Sequence, residues 1–198
     1  MVAIDIRISQ TSLMLADLVG KPIGGIVTLP TERVLTSGCG GGITFRIDHR
    51  LFPRLRSAVT VRPSQLARGM KQLFQAAEQY QRSRGIHGAA LFDGERLLVV
   101  AEDVGRHNAV DKVKGCALLQ GIETHDRILL STGRISSEML LKAARMGVPV
   151  VASRTSPTEM AVALAEQLNV TVCGYVRPDA LNLYAGTALA VEAEAARP

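Results

Sequence analysis

Cys39 lies in the stretch Thr36-Ser-Gly-Cys-Gly-Gly-Gly42, with glycine on both sides. Such a loop leaves a thiol sterically open, and a sulfur that must be accepted and handed on needs that access. Nearby cations such as Arg33 or Arg46 would favour the thiolate. A buried cysteine in a glycine-rich turn explains the same residues, so composition leaves both readings open. Cys116 and Cys173 each fall in an apolar run, as core cysteines do.

Three polar turns hold the other candidates. Ser131-Thr-Gly-Arg-Ile-Ser-Ser-Glu138 and Ser153-Arg-Thr-Ser-Pro-Thr-Glu159 each place hydroxyls and an arginine, Arg134 or Arg154, ahead of a helical pattern. Hydroxyls, a guanidinium and the free amides of a helix start are the parts of a phosphate cradle. In the second turn Ser156 suits the N-cap, Pro157 the first helical position and Glu159 the end of a capping box. Capping alone accounts for either turn, whereas two such turns in adjacent units favour an anion site. The third turn, Glu102-Asp-Val-Gly-Arg-His-Asn-Ala109 followed by Asp111 and Lys112, crowds Asp103, Arg106 and His107 together. Gly105 permits a tight turn and Asn108 suits a helix cap. A functional cluster and a surface ion-pair network are both compatible with it.

His87 reads as a structural histidine at a strand start. Neither CxxC nor HxH occurs, so no metal site and no tightly bound zinc is expected. The pattern of zinc nucleobase deaminases fails at Ala89, where it needs glutamate, and no Walker-type phosphate loop is present.

These residues require elements to position them. Pro63 opens a helix whose apolar positions Leu66, Met70, Leu73, Phe74 and Ala77 share one face. Ala89–Ala101 reads as a hairpin with a type I′ turn at Asp93-Gly94. Then follow a helix at 109–119, a strand at 128–131, a helix at 137–146, a strand at 148–152, a helix at 157–168 and a strand at 170–176. That alternation predicts an α/β fold with a helix-flanked sheet, the polar turns lying at its carboxyl edge where such sheets bind ligands. Short β-like runs at 3–8 and 24–29 precede it. The tail 188–196 reads as a helix. The expected division is 1–62, a partial β segment with the cysteine loop, and 63–198, an α/β cofactor-binding domain.

The 198 residues are 47% hydrophobic and 21% charged, which excludes wholesale disorder. The longest apolar runs are too short for a membrane span. A net charge of +5 suits anionic ligands. Aromatics at 4% and the absence of Trp argue against a base-stacking nucleic-acid surface. Three scattered cysteines and an N-terminus without a signal pattern point to a reduced, cytoplasmic protein.

Taken together, the third turn, the two serine-arginine turns and the closing stretch Gly174-Tyr-Val-Arg-Pro-Asp-Ala-Leu-Asn-Leu-Tyr184 resemble the FdhD family of formate dehydrogenase accessory sulfurtransferases. The resemblance runs from about Thr36 to Tyr184. It implies a cytidine-deaminase-like three-layer fold with a mixed sheet and without the zinc chemistry. It also implies sulfur carriage as a cysteine persulfide, from a cysteine desulfurase to the molybdenum or tungsten bis(molybdopterin guanine dinucleotide) cofactor of formate dehydrogenase. By motif position Cys39 would be the carrier, and Tyr175, Val176, Arg177, Pro178, Asp179 and Ala180 would match the cofactor-binding segment. Arg134 with Ser136, and Arg154 with Ser156, would grip cofactor phosphates. From residue type, and not from the resemblance, Arg106 and His107 would position the cofactor or protonate a leaving sulfur, and Asp103 is counted with them as a cofactor-binding residue. The partners implied are formate dehydrogenase and the desulfurase, with no nucleic acid and no membrane, and a homodimer is compatible. Three features depart from the family pattern: Arg177-Pro-Asp-Ala180 lacks the final cation of the matched segment, Gly42 replaces a second cysteine, and the family's N-terminal part is largely absent.

Overall fold

The computed structural model describes residues 53–83 and 85–190, together with the backbone of five strands that precede them. Those strands are β1 (Ile4–Ile8), β2 (Ser12–Asp17), β3 (Val27–Thr28), β4 (Arg33–Leu35) and β5 (Ile43–Phe45). β1, β2 and β3 form an antiparallel sheet in that order, and β4 pairs with β5. Cys39 and Gly42 lie outside the described residues.

The chain divides into units at Met1–Asp48 and His49–Pro198, ahead of the expected boundary at 62/63. The physical reason is that 53–62 is tied to the second unit. Leu55 N–H donates to the Leu168 carbonyl at 2.9 Å, Ser57 Oγ donates to Asp126 Oδ1 at 2.6 Å, and Val61 is buried.

The second unit contains α1 (Pro63–Ala76), α2 (Glu78–Ser83), β6 (His87–Phe92), β7 (Leu97–Asp103), α3 (Arg106–Leu119), β8 (Ile128–Ser131), α4 (Ser137–Arg145), β9 (Val150–Ser153), α5 (Glu159–Leu168), β10 (Thr171–Gly174) and β11 (Asn182–Ala185). One sheet of order β11-β10-β9-β8-β6-β7 organises it. β8, β9 and β10 run parallel, while β6, β7 and β11 are antiparallel to their neighbours. The expected α/β architecture with a mixed, helix-flanked sheet is what is found.

Strand alternation divides the apolar residues between two faces. Ala90, Phe92, Ile128, Leu130, Val150, Ala152 and Cys173 pack with Leu66, Met70, Leu73 and Ala77 of α1 and its C-cap. The alternate residues Leu91, Leu129, Val151 and Val172 are buried on the opposite face, and α3, α4 and α5 supply further buried apolar side chains. At about 25 cal/mol per Å² of apolar area removed from water, this two-sided burial is the main stabilising contribution.

Local chemistry differs from expectation at four places. The hairpin closes through a four-residue loop, Asp93–Arg96, not a two-residue turn. Asp93 Oδ1 accepts from the Glu95 and Arg96 amides, both at 2.8 Å, and Gly94 takes φ +102°. α3 starts at Arg106 with Gly105 as its N-cap, so Asn108 is inside the first turn and does not cap. α5 is capped by Thr158, whose Oγ1 accepts from Ala161 N–H at 3.3 Å; Ser156 is not the cap and Pro157 precedes the helix. Residues 188–190 are extended, because Val61 N–H donates to the Ala188 carbonyl and Ala190 N–H to that of Val61; the remaining tail lies outside the described residues.

Candidate functional site

The carboxyl ends of β8 and β9 are strapped together before their helices begin. Ser153 Oγ donates to the Gly133 carbonyl at 2.6 Å, and Ser131 Oγ accepts from Gly133 N–H at 3.1 Å. Ile135 N–H donates to the Ser156 carbonyl and Thr158 N–H to that of Ile135. The two serine-arginine turns are therefore adjacent, as expected. That pairing also holds Ser156 and Pro157 extended, which moves the α5 cap to Thr158. Ser131 and Ser153 are buried and have their hydroxyls committed to the backbone.

Gly133 sits where nothing larger fits. A Cβ there would lie 2.9 Å from Arg106 Cβ and 3.0 Å from His87 Nδ1. The glycine lets the β8–α4 turn close on the start of α3 and brings His107 to α4. His107 Nε2 is 3.0 Å from Ser136 Oγ, and its Nδ1 is 3.2 Å from Glu138 Oε2. Ser136 caps α4, its Oγ accepting from Met139 N–H at 3.4 Å. Burial, then the Arg106 charge, pushes His107 below the usual histidine value, and Glu138 only partly opposes this. His107 is thus a neutral imidazole at pH 7, able to accept a proton.

Asp103 does other work. Its Oδ1 accepts from Gly105 N–H at 2.9 Å and Asn108 Nδ2 at 3.1 Å, and its Oδ2 pairs with Lys112 Nζ at 2.6 Å. Those contacts, Lys112 foremost, hold its carboxyl down at about 2. Asp103 fixes the β7–α3 turn and stays an anion.

On the α1 face of the sheet a cavity of about 410 Å³ opens beside the 153–155 turn, a size suited to a small-molecule moiety. Its apolar wall is Met70, Phe74, Tyr80, Val176 and Pro178, and its cations are Lys71, Arg154 and Arg177. Arg154 Nη1 donates to the Val176 carbonyl at 3.0 Å, with its guanidinium 5.7 Å from the centre of the Phe74 ring. Arg177 Nη1 donates to the Arg154 carbonyl at 2.8 Å. Tyr175 adopts φ +50°, a left-handed conformation that costs a non-glycine residue about 1–2 kcal/mol. It is held there by Tyr175 N–H on the Thr155 carbonyl and Val176 N–H on that of Ser153. Among the described residues, no group of three or more His, Cys, Asp or Glu is arranged to hold a metal, and no helix is long and apolar enough to cross a membrane.

The FdhD/NarQ family model matches residues 7–190. The chain belongs to the FdhD/NarQ family. A sulfur carrier protein FdhD of Bacillus subtilis (strain 168) is 42% identical over 156 residues, 78% of this chain and 60% of that one. One from Staphylococcus aureus (strain MRSA252) is 38% identical over 176 residues, 88% of this chain and 66% of that one. The chain thus spans about 60% of the length of the Bacillus subtilis relative. A crystal structure described as a formate dehydrogenase accessory protein from Desulfotalea psychrophila superposes with TM-score 0.67 and 25% identity, covering 96% of this chain and 99% of that one.

Within this FdhD/NarQ chain the expected site residues separate into two groups along one sheet edge. Arg154, Val176, Arg177 and Pro178 line the cavity. Arg106, His107 and Ser136 gather at the α3 and α4 starts. Arg134 is exposed and is not among the residues lining the cavity. Asp179 and Ala180 form the following turn, in which the Arg177 N–H donates to the Ala180 carbonyl at 2.7 Å. Sequence reasoning passed over Phe74 and Tyr80 as cavity walls and Glu138 as the carboxylate on His107. Phe74 looked like an ordinary member of the α1 apolar face, and Glu138 like a routine first-turn acid.

Proposed function

We propose that this chain accepts sulfur on Cys39 from a cysteine desulfurase and delivers it to the molybdenum or tungsten bis(molybdopterin guanine dinucleotide) cofactor destined for formate dehydrogenase. The relatives named sulfur carrier proteins support the carrier role. The observation that best supports the nucleotide-bearing substrate is the cavity flanked by Arg154 and Arg177. Its aromatic and apolar wall suits a purine face, and the two guanidiniums suit pyrophosphate oxygens. At about 410 Å³ it would take one nucleotide end and leave the metal end outside. Arg134, Ser136 and Ser156 lie outside the cavity lining, and on this reading they would meet cofactor phosphates that extend along the neighbouring turns.

The loading step needs one thiolate. Cys39 sulfur attacks the outer sulfur of the desulfurase persulfide; the old S–S bond breaks, the desulfurase cysteine leaves as thiolate, and the outer sulfur stays on Cys39. A second reading, a protein that holds the cofactor without moving sulfur, is favoured by Gly42, which stands where the family pattern has a second cysteine.

Incubation with a cysteine desulfurase and cysteine, followed by intact-mass and peptide mass spectrometry, separates the two. One added sulfur on Cys39, absent from Cys116 and Cys173, is the expected result. No sulfur on a folded sample would overturn the carrier role and leave the holding role.

A further inference from the structure

We propose that Ser136, His107 and Glu138 form a nucleophilic relay in which Ser136 is acylated by carboxylic esters or thioesters that carry an anionic group. Three features meet here. The Ser136 hydroxyl faces Nε2 of His107 at 3.0 Å, and Nδ1 of the same ring faces the Glu138 carboxylate at 3.2 Å. This is the nucleophile, base and orienting acid in series, the arrangement that activates a serine hydroxyl. The carboxylate fixes the tautomer with hydrogen on Nδ1, which leaves the Nε2 lone pair for the serine proton. A serine that only caps a helix needs no imidazole on its hydroxyl, and Ser136 caps α4 through a long 3.4 Å contact.

The second feature is the oxyanion site. Ser136 directly precedes a nine-residue helix, and the Ser137 amide is at the first position of that helix, where a backbone N–H has no carbonyl one turn earlier to bond. The amide following a nucleophilic serine at a strand-to-helix turn is a recurrent oxyanion donor. The third is accessibility with partial shielding: the His107 and Glu138 side chains are 21% and 23% exposed. Arg134, exposed two residues before Ser136, supplies the charge that favours an anionic substrate.

The step balances as follows. Ser136 Oγ attacks the carbonyl carbon while its proton passes to His107 Nε2. The tetrahedral oxyanion collapses, the alcohol or thiol departs with that proton, and water later hydrolyses the acyl-serine by the reverse path. The charged groups bearing on His107 are Arg106 and Asp111 of its own helix and Glu138 and Lys142 of α4, and their balance with burial keeps the ring neutral at pH 7.

The test uses the whole chain and a fluorophosphonate probe, with the adduct located by peptide mass spectrometry. A single adduct on Ser136 is expected, formed more slowly as pH falls below the usual histidine range. Ser136→Gly, which keeps an acceptable N-cap, should give none. His107→Gln should slow labelling at least tenfold, and Glu138→Gln severalfold. An unlabelled Ser136 in a sample that melts cooperatively, or labelling of H107Q at the wild-type rate, overturns the proposal. Either result is independent of whether Cys39 carries sulfur.

Discussion

Arg177 reaches back across the cavity rim to Arg154, its Nη1 donating to the Arg154 backbone carbonyl at 2.8 Å while Arg154 Nη1 binds the Val176 carbonyl at 3.0 Å. Two like charges are held close by backbone acceptors, and Arg177 adds to burial in lowering the Arg154 pKa. Arg154 nonetheless stays protonated at neutral pH. Such a pair is poised to be relieved by an anion. Arg154→Ala and Arg177→Ala should each weaken guanine nucleotide binding by about 1.5–3 kcal/mol, tenfold or more in Kd. Isothermal titration with guanosine diphosphate at two salt concentrations checks this. Affinities equal to wild type for both variants would remove the cavity from the proposed function.

Gly133 is the position where the β8–α4 turn meets Arg106 and His87. Its missing Cβ would sit 2.9 Å from Arg106 Cβ, an atom close to the backbone that cannot swing away. Gly133→Ala should therefore destabilise by about 1–3 kcal/mol. At roughly 2–4 °C of Tm per kcal/mol for a chain of this size, calorimetry resolves the effect. The same substitution at Gly115, with open space around it, relieves a helix-interior glycine and should not lower Tm.

His87 and His107 both have values lowered below 6.5, in each case first by burial and then by Arg106. The unfolded chain therefore binds their protons more readily than the folded one. Their contribution is complete above the unfolded value and is lost as pH falls from 6.5 through the lower folded values. Asp103 has the same sign at lower pH: its stabilising effect holds above the ordinary carboxylate value and disappears as pH falls toward about 2. Urea unfolding at closely spaced pH values should show the midpoint dropping between pH 6.5 and 5, a drop reduced in His107→Gln. A flat midpoint over that interval would contradict the assigned environments.

The alternating units from β8 to β10 were legible because each strand is a short buried run and each helix carries an apolar face. α1 was legible through Leu66, Met70, Leu73 and Ala77 at a helical period. The first turn of α3 was not, since Arg106, His107 and Asn108 contain no apolar residue and the N-cap is Gly105, which makes no side-chain cap. That turn matters most, because it carries His107 to Ser136. β11 escaped notice for a related reason: Asn182 and Leu183 are exposed on an edge strand, so no alternation shows. The cavity depends on α1 packing across the sheet so that the centre of the Phe74 ring comes within 5.7 Å of the Arg154 guanidinium, a tertiary fact that two residues eighty apart in number do not announce.

Cap chemistry offers a compact test of that lesson. Ser156 has the better local motif, yet Thr158 makes the bond, because the Ile135 backbone pairs across Ser156 and Thr158. Thr158→Ala should cost about 1 kcal/mol and Thr158→Ser very little. Ser156→Ala should stay within about 0.5 kcal/mol. Denaturant midpoints measured side by side decide it, and the reverse ranking would restore Ser156 as the cap.

Cys173 stands in the middle of the core on β10, fully buried, and burial pushes its thiol up to about 12. A thiolate at that site is strongly disfavoured at physiological pH, so Cys173 is excluded as a sulfur carrier on chemical grounds. Native alkylation with iodoacetamide at pH 8 should leave Cys173 unmodified until the protein unfolds, with its labelling rate following the global unfolding equilibrium across a urea series. Persulfide loading should follow the same selectivity: Cys39→Ala should lose the added sulfur, and Cys173→Ala should keep it at the cost of a small core cavity. Sulfur appearing on Cys173 in the folded protein would require the β10 environment to open, and would move the carrier assignment away from the glycine loop.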